Sequence, residues 1–293
     1  MITNRFHHDF IYYLSSMRFN FWAKITFLGL LILAAFGCQN QTVSNSSNKT
    51  NSNVSANNAN SANQANAKIP VPQNVKFESA DKVEIIGTFY ESPKADSPAV
   101  LLLHQFGSNR QSFDEYAKRL QKNGFGVLAI DGRGFGESVK TADGEKVGTD
   151  RGDETVEGMK ADVDNAFNFL AKKKNVDAQK IGIVGASYGS SLAMIYGVEN
   201  RQVKAVALLS PGLDYFGNLP IEDAVKNYGD RPLLLVAAND DQESAETVKK
   251  LKSANANEKY EAKVYEKGGH GTNIFDANVG LQDLLEQFLM KNL

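Results

Sequence analysis

The chain has 293 residues, 42% of them hydrophobic, and this length suits one full-sized core rather than two. A formal net charge of −2 argues against a nucleic-acid-binding protein, since such proteins usually carry a basic face. The single cysteine, Cys38, excludes an internal disulfide framework and a metal site built from several thiolates.

The first predicted element is an apolar segment, residues 25–36, which Lys24 precedes. About twelve apolar residues are too few to span a bilayer core, but they match the hydrophobic region of a secretory signal peptide. Cys38 follows almost directly, and the junction resembles the lipobox of bacterial lipoproteins, in which the cysteine is lipidated after cleavage. Residues 1–38 are therefore predicted to hold a signal peptide with a lipobox-like end. Ordinary signal cleavage and a retained short anchor are the alternatives.

The start of this signal peptide stays open between Met1 and Met17. Met17 is followed by Arg18 and Lys24, which is the pattern of a more ordinary signal-peptide start. The predicted location is the bacterial cell envelope. The protein would face the periplasm or the exterior and contact the membrane through a lipid on Cys38.

Residues 39–72 are predicted to be a disordered tether. The stretch from Gln39 to Ala67 consists almost entirely of Asn, Ser, Ala, Gln and Thr, with no apolar period. Such a segment cannot bury enough surface to offset its chain entropy. A coil of about thirty residues reaches about 30 Å, which would hold a domain off a membrane surface. The globular domain is predicted to span residues 73–293.

Within that domain the hydrophobic pattern predicts strands that alternate with helices. Residues 75–79 and 83–90 alternate like an antiparallel pair, whereas residues 99–104 form a continuous apolar run typical of a doubly buried strand. The further predicted strands are 126–130, 181–184, 203–209, 233–237 and 260–265, and the predicted helices are 111–122, 155–172, 190–199, 243–253 and 279–293. This alternation implies an α/β fold with right-handed crossovers and a mostly parallel sheet that helices cover on both faces.

The pentapeptide Gly185-Ala186-Ser187-Tyr188-Gly189 carries the strongest chemical signal. It lies between a predicted buried strand and a predicted helix. A G-x-S-x-G turn in that context is the nucleophile elbow of a serine hydrolase, in which a sharp turn lifts the serine hydroxyl clear of the sheet. The glycines remove Cβ atoms that would collide with the neighbouring strand and helix.

From Val75 to Leu293 the chain resembles the α/β-hydrolase superfamily, most closely its dienelactone-hydrolase-like and serine-aminopeptidase-like branches. Five motifs carry the resemblance in the superfamily's order: His104-Gln105-Phe106-Gly107, residues 131–138 (DGRGFGES), the elbow, Ala238-Asn239-Asp240-Asp241, and Gly268-Gly269-His270-Gly271. Each follows a predicted strand, and ligand sites in such sheets lie at the carboxyl edge. The resemblance implies an α/β-hydrolase fold.

A serine hydroxyl is a weak nucleophile, so Ser187 needs a base within hydrogen-bond reach and an acid that orients the base. The superfamily's chain order is serine, acid, histidine, and His270 is the only histidine after Ser187. His270 is therefore the predicted base. Asp240 and Asp241 both follow the next-to-last strand. The resemblance, in which a small residue precedes the acid by three positions, favours Asp241 because Ala238 stands there; Asp240 is the alternative.

The resemblance also implies an oxyanion hole made of two backbone N–H groups. One belongs to Tyr188, the residue after the nucleophile, and the other belongs to Phe106. Related enzymes carry glycine where this chain has Gln105. Gln105 is therefore also a candidate to face the substrate.

Two polar clusters are predicted to be structural. Asp131, Arg133 and Ser138 suggest a carboxylate and a guanidinium that pin a glycine-rich turn. The second cluster comprises Asp150, Asp153, Glu154 and Glu157. It is predicted to be a helix start with a solvated face rather than a metal site, because no histidine stands near it.

Only residues 211–230 stand where larger relatives insert a cap domain, so no large cap is expected and the site should be open. In this segment Leu213, Tyr215, Phe216 and Leu219 either line an acyl or aromatic pocket or pack a short helix onto the sheet.

The predicted function is that of a serine hydrolase which cleaves carboxylic esters, thioesters or lactones through an acyl-enzyme. The expected substrates are small-molecule esters or short peptides, and neither a metal nor an organic cofactor is needed. Two alternatives stay open: a serine peptidase of the aminopeptidase-like branch, and a catalytically silent binding module in the envelope.

Overall fold

The computed structural model of the protein describes residues 68–293. The predicted signal peptide, Cys38 and nearly all of the predicted tether lie outside the described residues. The first strand begins at Gln73, where the globular domain was predicted to begin. Within the described part of the chain, no helix has the length and apolarity that a membrane crossing requires.

The main sheet contains eight strands in the order β1-β2-β4-β3-β5-β6-β9-β10. These strands are β1 (Gln73–Glu78), β2 (Glu84–Tyr90), β3 (Ser97–Leu103), β4 (Gly126–Ile130), β5 (Val176–Ala186), β6 (Val203–Leu209), β9 (Leu233–Ala238) and β10 (Tyr260–Tyr265). A separate hairpin is formed by β7 (Asp214–Tyr215) and β8 (Leu219–Pro220). From β4 to β10 every neighbouring pair is parallel, while β1 and β2 extend the sheet as antiparallel strands. The predicted mostly parallel sheet is confirmed.

Helices connect these strands. They are α1 (Asp114–Lys122), α2 (Asp153–Ala171), α3 (Tyr188–Glu199), α4 (Glu222–Asn227), α5 (Gln242–Ser253), α6 (Asn273–Asp276) and α7 (Leu281–Asn292), and a 3₁₀ turn (Arg110–Phe113) precedes α1. The amphipathic patterns that predicted the longer helices coincide with observed helices to within two or three residues. The short α6 was not predicted, because four residues are too few to show a helical period.

Helices cover the sheet on both faces, and each face has its own hydrophobic core. The continuously apolar sequence of β3 contributes to both cores. Leu101 and Leu103 point into the core that contains α2 and α3. Val100 and Leu102 point into the core that contains α1 and α7. All four side chains are buried. Successive residues of a strand face opposite sides, so a strand in the middle of such a sheet must be apolar throughout.

The largest difference from the predicted elements is at β5, which begins at Val176 rather than near residue 181. The backbone of Val176 pairs with Ser97 of β3, and the register then shifts before Ile181. Residues 177–180, which lie between these two pairings, are mostly polar and are half-buried or exposed. They show no hydrophobic period from which this part of the strand could be predicted.

Candidate active site

The carboxyl ends of the parallel strands bring the candidate residues to one edge of the sheet. Ser187 follows β5, Asp241 follows β9, and His270 lies in the loop after β10. The strands β5, β6, β9 and β10 are consecutive neighbours in the sheet. Residues far apart in the sequence therefore meet because parallel strands present their ends at the same edge.

Ser187 occupies a sharp turn between β5 and α3. Its φ of 54° and ψ of −125° lie in a region that side-chain-bearing residues rarely adopt. A Cβ atom at Gly185 would overlap the carbonyl oxygen of Gly189, and one at Gly189 would lie 2.6 Å from the carbonyl oxygen of Leu103. Glycine at both positions is thus required for the close approach of the turn, the helix and the neighbouring strand.

Ser187, His270 and Asp241 form a continuous chain of hydrogen bonds. Nε2 of His270 lies 2.7 Å from Oγ of Ser187, and Nδ1 of His270 lies 2.8 Å from Oδ2 of Asp241. The serine is 6% exposed, whereas the histidine side chain is 40% exposed. The hydroxyl is therefore held in a protected turn while the imidazole borders open solvent.

Asp240 has a different set of partners from Asp241. Its carboxylate accepts hydrogen bonds from the backbone N–H groups of Gly268 and Gly269, at 3.1 and 3.0 Å. These bonds lower the pKa of the Asp240 carboxyl. The structure thus places Asp241 against the imidazole and Asp240 against the backbone of the loop that carries it.

Two backbone N–H groups near Ser187 are free to bind a ligand. Tyr188 is the first residue of α3, and the first N–H groups of a helix have no acceptor within it. The N–H of Phe106 makes no hydrogen bond to any residue between 68 and 293. These are the two groups that the sequence assigned to an oxyanion hole.

The side chain of Gln105, predicted as a candidate to face the substrate, contacts the loop that carries His270 through its amide oxygen. Its Oε1 accepts hydrogen bonds from the backbone N–H and the hydroxyl of Thr272, at 2.6 and 3.0 Å. Gln105 therefore joins the loop after β3 to the loop that carries His270. The only unusual feature of the sequence at this position is that Gln105 stands where related enzymes carry glycine. That difference did not identify Thr272 as the partner of the side chain.

His104, the other histidine near the site, is held as a neutral ring. Its Nδ1–H donates to the carbonyl oxygen of Gln105 at 2.7 Å, and its Nε2 accepts from the N–H of Gly132 at 2.9 Å. Protonation of Nε2 would break the second bond. Burial lowers the pKa of His104 below its usual range, in spite of the hydrogen bond to Gln105. His104 thus supports the loop that carries Phe106.

Replacement of His104 by phenylalanine should lower the free energy of unfolding by about 1–3 kcal/mol, because the N–H of Gly132 loses its acceptor and the carbonyl of Gln105 loses one of its two donors. The unfolded histidine titrates near pH 6.5, whereas the pKa of folded His104 is lower. The unfolded state therefore binds more protons below pH 6.5, and wild-type stability falls there. Urea denaturation of the wild type and of His104→Phe should show a difference in the free energy of unfolding that is largest above pH 6.5 and shrinks toward pH 5. A difference independent of pH would contradict a buried neutral ring.

Phe106, Phe216 and Arg151 form one wall, which lies against the ring of Tyr188, the residue after Ser187. The rings of Phe106 and Phe216 have centroids 5.1 Å apart, and the guanidinium of Arg151 lies 4.3 and 4.6 Å from the two centroids. Arg151 is exposed and has no carboxylate partner within residues 68–293. No sequence pattern identified Arg151, since it stands in a polar loop far from every motif.

Phe216, one residue of this wall, lies in the turn of the β7–β8 hairpin. Phe216 has a φ of 66° and Gly217 a φ of 78°, the pattern of a type I′ turn. A left-handed conformation at a phenylalanine costs about 1–2 kcal/mol. Asn218 ties the hairpin down by donating its side-chain N–H to the carbonyl oxygen of Arg151 at 3.0 Å. The hairpin and α4 account for the regular structure between β6 and β9, so the segment holds no multi-helix cap.

Tyr215, predicted to line a pocket or pack against the sheet, is bonded through its hydroxyl to the segment that follows β6. The O–H donates to the carbonyl oxygen of Ser210 at 2.9 Å, and the ring packs on Gly212. Burial raises the pKa of this phenol. The ring of Phe216 lies against the rings of Phe106 and Tyr188, with centroid distances of 5.1 and 6.3 Å.

The charged residues of the polar cluster after β4 form ion pairs with residues of other elements. Asp131 accepts from the backbone N–H groups of Arg110 and Glu137, at 2.7 and 2.8 Å, and pairs with the guanidinium of Arg110 rather than of Arg133. Arg133 instead pairs with Asp162 at 2.7 Å. Asp131 and Arg133 are close in the sequence, but each forms its ion pair with a residue from a different element.

Ser138 fastens the same turn, since its hydroxyl donates to the carbonyl oxygen of Asp131 at 2.9 Å. In the acidic cluster, Asp153 and Glu154 lie in the exposed first turn of α2. Asp150 accepts from Thr155 and from the N–H of Gly152, which lowers its pKa. Among residues 68–293 no group of three or more metal-ligating side chains converges.

A comparison with family models matches residues 85–278 to the model described as the dienelactone hydrolase family. Among curated proteins, the chain is 27% identical to thiohydrolase aneE of Aspergillus aculeatus over 138 residues, which cover 47% of this chain and 41% of that protein. The chain thus aligns with less than half the length of the curated relatives it matches.

Solved structures share the fold. The α/β hydrolase GrgF of Penicillium sp. superposes with a TM-score of 0.63 at 14% identity, covering 76% of this chain and 99% of that one. An esterase of Pyrococcus furiosus superposes with a TM-score of 0.58 at 19% identity, covering 75% of this chain and 91% of that one. The predicted α/β-hydrolase fold is therefore confirmed.

Proposed function

This chain belongs to the dienelactone hydrolase family, and on that basis we propose that it is a serine hydrolase which cleaves small carboxylic esters, thioesters or lactones by acyl transfer. The observation that carries the proposal is the hydrogen-bonded chain from Ser187 through His270 to Asp241. A serine, a base and an orienting acid in this arrangement are the components of an activated nucleophile.

In the proposed reaction Oγ of Ser187 attacks the carbonyl carbon while its proton passes to Nε2 of His270. Asp241 accepts the Nδ1–H of the ring, which keeps Nε2 unprotonated before the attack and stabilises the imidazolium after it. The negative charge that develops on the carbonyl oxygen is bound by the N–H groups of Tyr188 and Phe106. Donors fixed by the surrounding backbone need no reorganisation when the charge appears.

Collapse of the tetrahedral intermediate breaks the bond to the leaving group, which takes the proton from His270. The acyl group then remains on Ser187 as an ester. A water molecule attacks this ester and gives its proton to His270, and the second collapse returns the proton to Oγ and releases the acid. The 40% exposure of the imidazole provides a route for this water.

The shape of the site supports small acyl groups. The segment between β6 and β9 is too short to enclose a long chain, and the wall against Tyr188 contains the rings of Phe106 and Phe216. A thioester carbonyl passes through the same kind of oxyanion, and one matched relative is named a thiohydrolase. We therefore include thioesters in the proposed substrate class.

Arg151 is expected to favour an acyl group that carries a carboxylate. Its guanidinium has no carboxylate partner within residues 68–293 and lies over two aromatic rings. Replacement of Arg151 by alanine should lower kcat/KM about tenfold for a monoester of succinate, through a higher KM, and leave acetate ester hydrolysis nearly unchanged. Arg201→Ala is the matched control, since Arg201 is exposed and precedes β6, at the opposite edge of the sheet. Equal losses on both esters would argue against this contact.

The proposal is tested by treating the purified protein with a fluorophosphonate probe and measuring turnover of p-nitrophenyl acetate. We expect covalent labelling, with the modified peptide containing Ser187, and ester hydrolysis that labelling abolishes. Amino-acid anilides are assayed alongside. A higher kcat/KM on anilides would support the peptidase alternative, and the absence of both labelling and turnover would support the silent binding module.

We also propose that the protein is lipid-anchored in a bacterial cell envelope through Cys38. The proposal is supported by the apolar segment 25–36 and by the position of the single cysteine just after it. The expected result is metabolic incorporation of a labelled fatty acid that depends on Cys38 and processing that globomycin blocks. Processing that proceeds normally in Cys38→Ala cells treated with globomycin would support ordinary signal cleavage.

A further inference from the structure

The loop that carries His270 is held by side chains rather than by regular secondary structure. Four of its backbone N–H groups have side-chain acceptors, and these groups belong to Gly268, Gly269, Gly271 and Thr272. The acceptors belong to Asp240, Ser210 and Gln105. These three residues follow β9, β6 and β3, so the loop is fastened to three separate strand ends.

Gln105 makes the most specific of these contacts. Of the two ends of an amide side chain, only the oxygen can accept from a backbone N–H, so the bond to Thr272 determines which end of Gln105 faces the loop. A Cβ atom at Gly271 would overlap Oε1 of Gln105, and Gly271 also has a φ of 62°. Glycine at this position is therefore what lets the amide reach the loop next to His270.

The backbone of Gln105 is held as firmly as its side chain. Its carbonyl oxygen accepts from the ring of His104 at 2.7 Å and from the N–H of Ser108 at 3.1 Å. The next N–H along the chain belongs to Phe106, one of the two proposed oxyanion donors. A single residue thus connects the loop that would bind the oxyanion to the loop that would supply the base.

We propose that Gln105 is a positioning residue that sets the imidazole of His270 and the N–H of Phe106 at a constant separation. This inference rests on the proposed hydrolase function. Proton transfer and oxyanion binding act on the same tetrahedral intermediate, so both groups must be correctly placed at once. A displacement of about 1 Å in such a site can cost about a hundredfold in rate.

The test compares Gln105→Leu with Gln105→Glu. Leucine has a similar size but no acceptor, and we expect kcat for p-nitrophenyl acetate to fall about 10- to 100-fold with KM changed less than about threefold. Glutamate keeps an oxygen that accepts from Thr272, and we expect it to recover most of the lost kcat. Gln287→Leu is the matched control, since Gln287 is exposed on α7 and makes no side-chain hydrogen bond within the described residues.

Thermal unfolding is measured for each variant alongside the kinetics, to establish whether the variant is folded. If Gln105→Leu does not fold, Gln105→Asn replaces it, because asparagine keeps the amide but is one methylene too short to reach Thr272. A wild-type kcat in the leucine or asparagine variant overturns the inference, as does an equal loss of kcat in the glutamate variant. The proposed function fails separately, if the wild-type protein itself shows neither labelling by the fluorophosphonate nor ester turnover.

Discussion

Replacing Ser187 by alanine is expected to lower kcat for p-nitrophenyl acetate by about 10⁶, which is the loss seen when a hydrolase triad loses its nucleophile. The loss follows from the geometry, because the hydroxyl that lies 2.7 Å from Nε2 of His270 has no substitute at that position. Any remaining rate would come from oxyanion binding and proximity alone.

The same substitution should leave the fold unchanged. Alanine keeps the Cβ atom and hence the same backbone restriction at a φ of 54°, so the melting temperature should stay close to that of the wild type. Ser253→Ala is the matched control, since Ser253 is exposed on α5. A Ser187→Ala protein that folds and still turns over the ester at the wild-type rate would falsify the assignment of Ser187 as nucleophile.

Replacing Asp241 by asparagine is expected to lower kcat by about 10⁴. The carboxylate accepts the Nδ1–H of His270 at 2.8 Å and so leaves Nε2 free to take the serine proton. An asparagine amide can instead donate to Nδ1, which shifts the ring proton to Nε2 and blocks that transfer. It also removes the negative charge that stabilises the imidazolium. The measurement is kcat across pH 6–9 for purified protein.

Asp240→Asn is the matched comparison, because the two carboxyl groups are adjacent in the chain. Within residues 68–293, Asp240 accepts from the backbone N–H groups of Gly268 and Gly269. Both bonds reach Oδ1, so an asparagine oxygen can keep them. Its loss of kcat should therefore stay within about tenfold. If Asp240→Asn proves the more damaging of the two, the acid of the triad has been assigned to the wrong residue.

Much of the fold could be predicted because burial on a parallel sheet leaves strong local patterns. The continuous apolar run of β3 and the amphipathic period of α2 are visible in single windows of sequence. The start of β5 left no such pattern, since most of its side chains are polar. The four residues of α6 were too few for a period to appear.

The candidate site was predictable to the extent that its chemistry depends on residue type and chain order. Ser187 stands in a glycine-bounded turn, and His270 is the only histidine after it, so their pairing followed from the sequence. The choice between Asp240 and Asp241 needed a resemblance to other proteins, because both are aspartates on one short loop. Arg151 could not be predicted, since its position over two aromatic rings depends on the fold of three separate segments.

The sequence by itself determined the order of strands and helices, the strained turn at Ser187 and the histidine that is available to pair with it, because these depend on local periodicity, on glycine geometry and on residue counts. Only the tertiary structure decided that Asp241 faces the imidazole, that Gln105 fastens the histidine loop, and that Asp131 pairs with Arg110. These are contacts between residues separated by about 20 to 170 positions, and hydrogen bonds at such distances along the chain leave no pattern in any window of the sequence.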